Sequence, residues 1–586
     1  MLQKICKNCA SQFEITEKDL EFYEKISPIY RGEKYRILPP TLCPTCRMQR
    51  RQAFRNDRSL YKSTSSLSGK PIVSMYNPKK GFTVYEYEEW WSGKWDPTRY
   101  GKDFDPNNPF FKQFEMLRND VPRFNLFNKD TENCDFVNYA PHCKNCYLLF
   151  GSWFNEDCCY GQTLNECTNC IDNLFLDRSQ MCYENIDCNN NYHSFFCQNC
   201  NSTRDSFFCY DCKNIENCIG CFNLKDKKYH IENKPVAKEE YERIKSQLGS
   251  YQALISAKSY FTNVITQKAI HKAYIGLNNE DVSGDFIFNC KNAKYCFSVY
   301  RSQDVAYSGR MFDQKDTYDF EGGGKGELLY ENMSNDFGYF SIGCTTCEYL
   351  TNSHYCDLCF NCKDCFGCVG LNKKQYCVLN KQYTKEEYEE LVSKIIKQME
   401  SVGEWGEFFP FRLSPFGYNE TMAQEYFPLA KEVAIQKGFN WSDYEQQIPQ
   451  VEKTICASEL PDSIGKTPDD ILNWAILCEI TNKPYLITKQ ELKFYKTNNL
   501  PIPRRHPNQR HADRMAARNP RHIWDGKCAK CGDMIKTTYA PGRPEIIYCE
   551  KCYLGEMYGG ANMSYGNGLR NRSNDYEAVL FSGQFE

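Results

Sequence analysis

The chain has 586 residues, 72 basic against 75 acidic side chains, and 35 cysteines. That length exceeds a single hydrophobic core, so three or more domains are expected; the near-neutral balance excludes a uniformly basic nucleic-acid coat and leaves only local patches. The start MLQKICKNCASQFEI lacks the apolar stretch of a secretory signal, and no run approaches the roughly 20 apolar residues of a membrane span, so the expected setting is cytoplasmic, without a membrane partner.

In that setting the cysteines read as metal ligands or buried thiols rather than disulfides. Residues 1–100 begin with Cys6, Cys9, Cys43 and Cys46, two C-x-x-C pairs separated by thirty-three residues. Each pair presents two thiolates from one tight turn, and two pairs complete the closed tetrahedral shell of a structural zinc site. Between them, Thr16 and Asp19 precede LEFYEKI in the pattern of a capped helix start. Directly after the second pair, residues 47–58 carry Arg47, Arg50, Arg51, Arg55 and Arg58 against one acid. Their spacing predicts one side of a helix. Ser65, Ser68, Glu86 and Glu89 then occupy the places of a second ribbon; two hydroxyls and two carboxylates are poor partners for zinc, and Trp90 and Trp91 are expected to supply packing instead.

Residues 101–130 read as a Pro- and Asn-punctuated linker with apolar anchors. Beyond it lies a duplication with an offset of 147: Cys197, Cys200, Cys209, Cys212, Cys218 and Cys221 align without a gap with Cys344, Cys347, Cys356, Cys359, Cys365 and Cys368. Cysteine pairs recur at 21 to 24 residues within the first copy, and SFFCQNC returns as SFFCYDC twelve residues later. Short aromatic and cysteine-bearing segments at such a period predict a solenoid, repeat A over 131–235 and repeat B over 281–383, with helical segments at 236–280 and 384–460. The run Cys356, Cys359, Cys362, Cys365 and Cys368 superficially resembles an iron–sulfur motif, but the first copy has Ile215 opposite Cys362, which favours a ladder of inward thiols. EGGGKGE at 321–327 lacks phosphate-loop spacing and is expected to be a turn. His193 and His271 stand without a nucleophile partner, and no enzyme class is supported.

Residues 461–556 repeat the N-terminal module. With a shift of 463, Arg47, Arg51, Arg55 and Arg58 fall on Arg510, Arg514, Arg518 and Arg521, and Ser65, Ser68, Glu86 and Glu89 fall on Cys528, Cys531, Cys549 and Cys552, an intact metal set. The first set is here reduced to Cys478, Thr481, His506 and Gln509. Thr467, Pro468 and Asp470 predict a helix through ILNWAIL, and Thr488 to Glu491 another through LKFY. With Arg504 and Arg505, this second cluster holds six arginines. Arginine pairs with phosphate bidentately, so both clusters are candidate RNA or DNA contacts; the alternative is that they link helices to acids of other domains. Residues 557–586 read as a flexible tail.

The segments LCPTCRMQRRQAFRNDRSLY, GLNKKQYCVLNKQYTKEEYEEL, and PIPRRHPNQRH through CAKCGDMIKTTYAPGRPEIIYCEKCY resemble the large uncharacterised zinc-ribbon proteins of the candidate phyla of ultra-small bacteria. The resemblance spans most of the chain and implies zinc and a cytosolic setting, with no established activity. In similar proteins SLSGKPIVSMYNP looks like a further cysteine ribbon, so this chain is expected to bind one metal fewer. The expected fold is multidomain and mainly β: a duplicated cysteine-rich β-solenoid with helical inserts, flanked by zinc-ribbon modules at both ends and holding about two structural zinc ions. The expected function is non-enzymatic binding of RNA or DNA. A protein-interaction or structural scaffold is the alternative, and an iron–sulfur or thiol redox protein comes third.

Overall fold

The computed structural model describes residues 2–444 and 451–558; most of the expected tail, 557–586, lies outside the described residues. The chain is multidomain and mainly strand-rich, with helices before, between and after two long parallel ladders. The first ladder runs from Glu132↔Lys144 to Lys213↔Lys225, each residue pairing in parallel with the residue twelve positions on. The second repeats that register from Gly284↔Cys296 to Lys363↔Gln375. We call them ladders A and B. The 24-residue interval from Cys143 to Cys167 therefore spans two rungs, and the 21-residue interval from Cys188 to Cys209 is not a structural period.

A still shorter unit of three residues sets the local conformation. Asn133, Phe136, Tyr139, His142 and Asn145 all have φ near +50°, and the pattern continues on every third residue through most of both ladders. Left-handed backbone costs a non-glycine residue roughly 1–2 kcal/mol, so something regular must offset it. The residue after each left-handed one points inward: Cys143, Cys146, Leu149, Ser152, Asn155 and Cys158 are all buried. Where these are polar, they bond the adjoining backbone. Asn155 Nδ2 donates to the carbonyls of Trp153 (2.9 Å) and Leu164 (3.0 Å), while its Oδ1 accepts from Cys167 N at 3.0 Å. Ser152 Oγ donates to Phe150 O and accepts from Leu164 N, both at 2.9 Å. Cys158 Sγ reaches Glu156 O at 3.3 Å and Cys167 O at 3.4 Å. Cysteine, asparagine and serine thus do one job, capping carbonyls in an interior too narrow for larger side chains.

The thiols expected to face inward do so: Cys197, Cys209, Cys218, Cys344, Cys356 and Cys365 are at most 1% exposed, and all cysteines of the described residues are free thiols. Both ladders end in an antiparallel hairpin, after which come the helices Lys238–Gln247 and Lys385–Val402. Capping boxes hold the expected helix starts at Thr16, Thr384 and Thr488. Two expectations fail. The 101–130 segment contains the helix Phe110–Asp120, whose Phe110, Phe114 and Leu117 are fully buried in the core of ladder B, so it packs rather than links. ILNWAIL forms a short 3-10 turn and the strand Trp474–Leu477, because its β-branched and aromatic residues complete a three-stranded sheet. Residues 321–324 complete the strand Lys315–Gly324 and Glu327 opens the next, so the expected turn is confined to a bend at 325–326; a Cβ on Gly322 (φ +73°) would lie 2.8 Å from Arg55 Nη1.

If inward polar side chains cap the ladder carbonyls, Asn155→Leu orphans the Cys167 amide and should cost about 1–3 kcal/mol. Cys158→Ser keeps a donor of similar size and should cost well under about 1 kcal/mol by the same reasoning. Urea midpoints of the two variants, measured on the full chain, check this.

Candidate metal centres and the arginine contacts

All four ribbon positions keep the same knuckle, whether or not they keep thiols. In each, a left-handed residue follows the second ligand position: Ala10, Gly69, Asn482 and Gly532. The turn closes by Ala10 N to Cys6 O (3.0 Å), Gly69 N to Ser65 O (2.9 Å), Asn482 N to Cys478 O (3.0 Å) and Gly532 N to Cys528 O (2.9 Å). Backbone geometry survives where the ligands have gone.

Two of these positions gather donors. The sulfurs of Cys6, Cys9, Cys43 and Cys46 all lie within 4.8 Å of one another, as do those of Cys528, Cys531, Cys549 and Cys552. Among the described residues these are the groups arranged to hold a metal ion, and both are closed sets of four thiols. Within each set one thiol is held down while others, Cys6 and Cys46 in the first and Cys531 and Cys552 in the second, are pushed up. The Cys43 thiol is held down to about 5, chiefly by a hydrogen bond from Cys46. For Cys528, burial works against ionisation, but backbone N–H groups around Cys531, Cys549 and Lys530 bring it down to about 6. Cys549 N donates to Cys528 Sγ at 3.3 Å, Cys552 N to Cys549 Sγ at 3.4 Å, and Asn8 Nδ2 to Cys46 Sγ at 3.3 Å. The ladder thiols, including the Cys356 to Cys368 run, form no such group among the described residues.

The degenerate positions replace metal by hydrogen bonds and packing. Ser65 Oγ donates to Glu89 Oε2 at 2.5 Å, and hydrogen bonds from Ser65 and Ser68 hold the Glu89 carboxyl below its usual range. Trp90 is 4% exposed and donates to Pro122 O, while Trp91 packs on Phe360. In the C-terminal copy, Cys478 Sγ accepts from Thr481 N, and His506 Nδ1 accepts from Asn508 N at the head of the helix Pro507–Ala516.

The arginines are not laid out as an exposed phosphate-tracking face. Arg47 and Arg51 are 0% exposed, Arg50, Arg55 and Arg521 5%, Arg510 and Arg514 3%; Arg58, Arg504, Arg505 and Arg518 are half-buried. Only the first three of the N-terminal cluster lie on a helix, Pro44–Gln52, so Arg55 and Arg58 do not share its face. Arg47 Nε and Arg51 Nη1 both meet Asp319 Oδ1 (2.9 and 2.8 Å), and Glu331 receives Arg51 (3.0 Å) and Arg50 (2.6 Å). In the C-terminal module Arg510 pairs with Asp172 and Glu491, and Arg514 with Asp172 at 3.1 Å, beside Glu184. The acids are related by the ladder duplication, since Asp172 and Glu184 fall on Asp319 and Glu331 with the offset of 147.

The correspondence extends further. Arg47 lies over the ring of Tyr307 (4.9 Å) and Arg510 over that of Tyr160 (4.7 Å), again 147 apart, and those two hydroxyls donate to Asp19 and Glu491 at the matching helix starts. Each module therefore docks by the same contacts, but crosswise: the N-terminal module on ladder B, the C-terminal module on ladder A. The chain after each helix then reaches the other ladder, placing Arg55 over Tyr139 (4.0 Å) and Arg518 between Phe175 of ladder A (4.1 Å) and Phe286 of ladder B (4.7 Å). Arg521 pairs with Glu321 (2.8 Å), Arg518 with Asp187 (2.8 Å), Arg55 with Asp57 (2.7 Å), and Arg58 approaches Glu425 (4.0 Å). Arg505 meets Glu479 and Asp513, and Arg504 lies over Tyr251. The acids that receive the arginines were not singled out by sequence; their signal was their exact recurrence at the ladder offset.

Between the ladders opens a cleft of ≈ 1990 Å³, rimmed by both modules. No helix of the described residues is long and apolar enough to cross a membrane. No family model and no curated protein matches the chain. Among solved structures, a protein assigned as an acetyltransferase from Desulfovibrio desulfuricans G20 aligns with 8% identity and a TM-score of 0.08, covering 47% of this chain and 81% of that one, a likeness that carries no argument.

The contrast between knuckles with and without thiols is testable. Cys549→Ser should abolish metal retention by the C-terminal set and raise amide exchange in residues 524–558 by at least tenfold. Ser65→Ala should leave exchange in residues 61–91 within about twofold, since only one hydrogen bond of modest net worth is lost. Equal exchange in both variants would mean that the thiols of the C-terminal set do not bind an ion that orders it.

Proposed function

We propose that the chain is a non-enzymatic scaffold in which structural zinc orders the two terminal modules, the modules' arginines join two cysteine-rich solenoids, and the cleft between the solenoids receives a partner. The observation that carries this reading is the crossed docking of Arg47 and Arg51 on Asp319 and Glu331, and of Arg510 and Arg514 on Asp172, with all of these groups buried. A guanidinium consumed in this way cannot also release counterions from a phosphate backbone. The arginine clusters therefore support an internal, architectural role over RNA or DNA binding.

Zinc is the metal best suited to two closed tetrathiolate sets, and the resemblance to large zinc-ribbon proteins points the same way. Such sites fold domains and leave no open position for a substrate, metal binding contributing on the order of 10–16 kcal/mol in isolated finger peptides. The twelve-residue register and the three-residue inward period support reading both ladders as solenoids, whose thiols serve packing and carbonyl capping rather than redox chemistry.

Two measurements on purified full-length protein test the proposal. Elemental analysis should give about two zinc ions per chain and little iron. Titration with a single-stranded RNA 20-mer at low salt should show no saturable binding. Tight RNA binding that weakens steeply with salt, and that is lost on neutralising the half-buried Arg58, Arg504 and Arg505, would reinstate the nucleic-acid reading and overturn this one.

A further inference from the structure

Resting on the scaffold reading, we propose that the cleft between the ladders binds a neutral polyhydroxylated chain, an oligosaccharide of linked pyranose rings lying along the ladder axis. The two walls repeat at every rung, about 4.8 Å apart. On ladder A, Asn165, Asp177, Asn189 and Asn201 are successive register partners and all line the cleft. Facing them on ladder B is an apolar column, Phe288, Tyr300 and Phe312, again register partners. Phe288 and Tyr300 stack with centroids 5.3 Å apart and planes 5° from parallel, so each spends a face on its neighbour and leaves an edge for the cleft.

The polar column has a surplus of acceptors. Asn165 Nδ2 donates to Asp177 Oδ1 at 2.8 Å, but Asp177 Oδ2 and Asn189 Oδ1 are buried with no partner among the described residues, although Asp177 is only 7% exposed. Thr163 Oγ1 and Asn199 Oδ1, on the same wall, are in the same state. A buried acceptor without a donor costs about 1–3 kcal/mol, so a donor that reached Asp177 Oδ2 or Asn189 Oδ1 from the cleft would be favourable. Hydroxyl groups supply such donors at the required spacing. A sugar also presents C–H faces to the apolar column opposite.

Charge and periodicity narrow the class. Nine Asp or Glu and eight Lys or Arg line the cleft, so neither a polyanion nor a polycation is favoured. On the wall of ladder B burial pushes the register partners Asp336 and Glu348 up to about 6 and about 7, and on ladder A it pushes Asp177 to about 7, so these carboxyls carry less than full negative charge near neutrality. An extended peptide fits less well. Its side chains return to one face only every second residue, about 6.6 Å, and strand addition needs an open edge, whereas the ladder amides along the wall already bond the next rung. A β-linked pyranose chain advances by close to one rung per sugar.

Isothermal titration of the full chain with cellohexaose, chitohexaose and maltohexaose tests the proposal. At least one hexasaccharide should bind saturably, and at least tenfold more tightly than its disaccharide. Asp177→Leu and Asn189→Leu should each weaken that binding at least tenfold while retaining zinc and the wild-type thermal transition. Absence of binding by all three sugars, binding unchanged in both variants, or binding only of an uncharged Ser/Gly decapeptide would each overturn the oligosaccharide assignment. None of these outcomes touches the scaffold reading, which stands or falls on zinc content and RNA binding.

Discussion

Everything above the level of the single module depends on guanidinium groups buried against carboxylates of the ladders. Arg47, Arg51, Asp319 and Glu331 are 0% exposed, and so is Asp172 opposite Arg510. Desolvating such groups is expensive, and a hydrophobic replacement of the whole set could be as stable. What the pairs add is registry. Asp319 and Glu331 stand on successive rungs, as do Asp172 and Glu184, so a module that slipped by one rung would keep one acid and leave an arginine without the other, a penalty of several kcal/mol that favours the observed position. Because the acids recur at the ladder offset and the arginines at the module offset, that position is specified twice, and the crossed arrangement ties the two ladders into one body with a cleft between them.

The ladders impose their own constraint. A backbone that turns left-handed at every third residue leaves a thin interior, and only small side chains that satisfy carbonyls fit it. This accounts for the cysteine count more fully than metal does: most of the 35 cysteines are ladder thiols that donate to the carbonyl two residues back. Burial works against ionisation of these thiols and pushes Cys290 to about 11 and Cys296 higher, whereas hydrogen bonds among neighbouring thiols bring Cys212 down to about 6 and Cys221 to about 4. Buried and tied to carbonyls, the ladder thiols serve the structure.

Much of the architecture was legible because duplications write themselves in residue spacing. The two module copies, the two ladder copies, the capped helix starts at Thr16 and Thr488 and both tetrathiolate sets were all readable from offsets and local chemistry. The same C-x-x-C spacing, however, arises from a knuckle that binds metal and from two successive inward positions of a three-residue turn. What separates them is whether four thiols gather within ligand distance, as Cys528, Cys531, Cys549 and Cys552 do and the ladder thiols of the described residues do not. The arginines were misread for a related reason. Their partners stand about 270 residues away, as Asp319 does from Arg47, and nothing near Arg47 in sequence announces a buried acid. Local composition gives no sign of the helix in 101–130, where Pro and Asn punctuate a segment whose phenylalanines are buried against distant Phe366 of ladder B and Phe409.

The central claim is that these buried pairs hold modules to ladders. A double-mutant cycle on Arg47 and Asp319, each changed to alanine singly and together and followed by chemical denaturation, isolates that interaction. Asp319→Ala should cost about 3–5 kcal/mol by leaving Arg47 without its buried counter-charge, whereas Arg47→Ala leaves Asp319 its bond from Arg51 and should cost less; the double variant should recover at least about 2 kcal/mol of the summed loss. Additive losses, with no coupling between the two positions, would contradict the account.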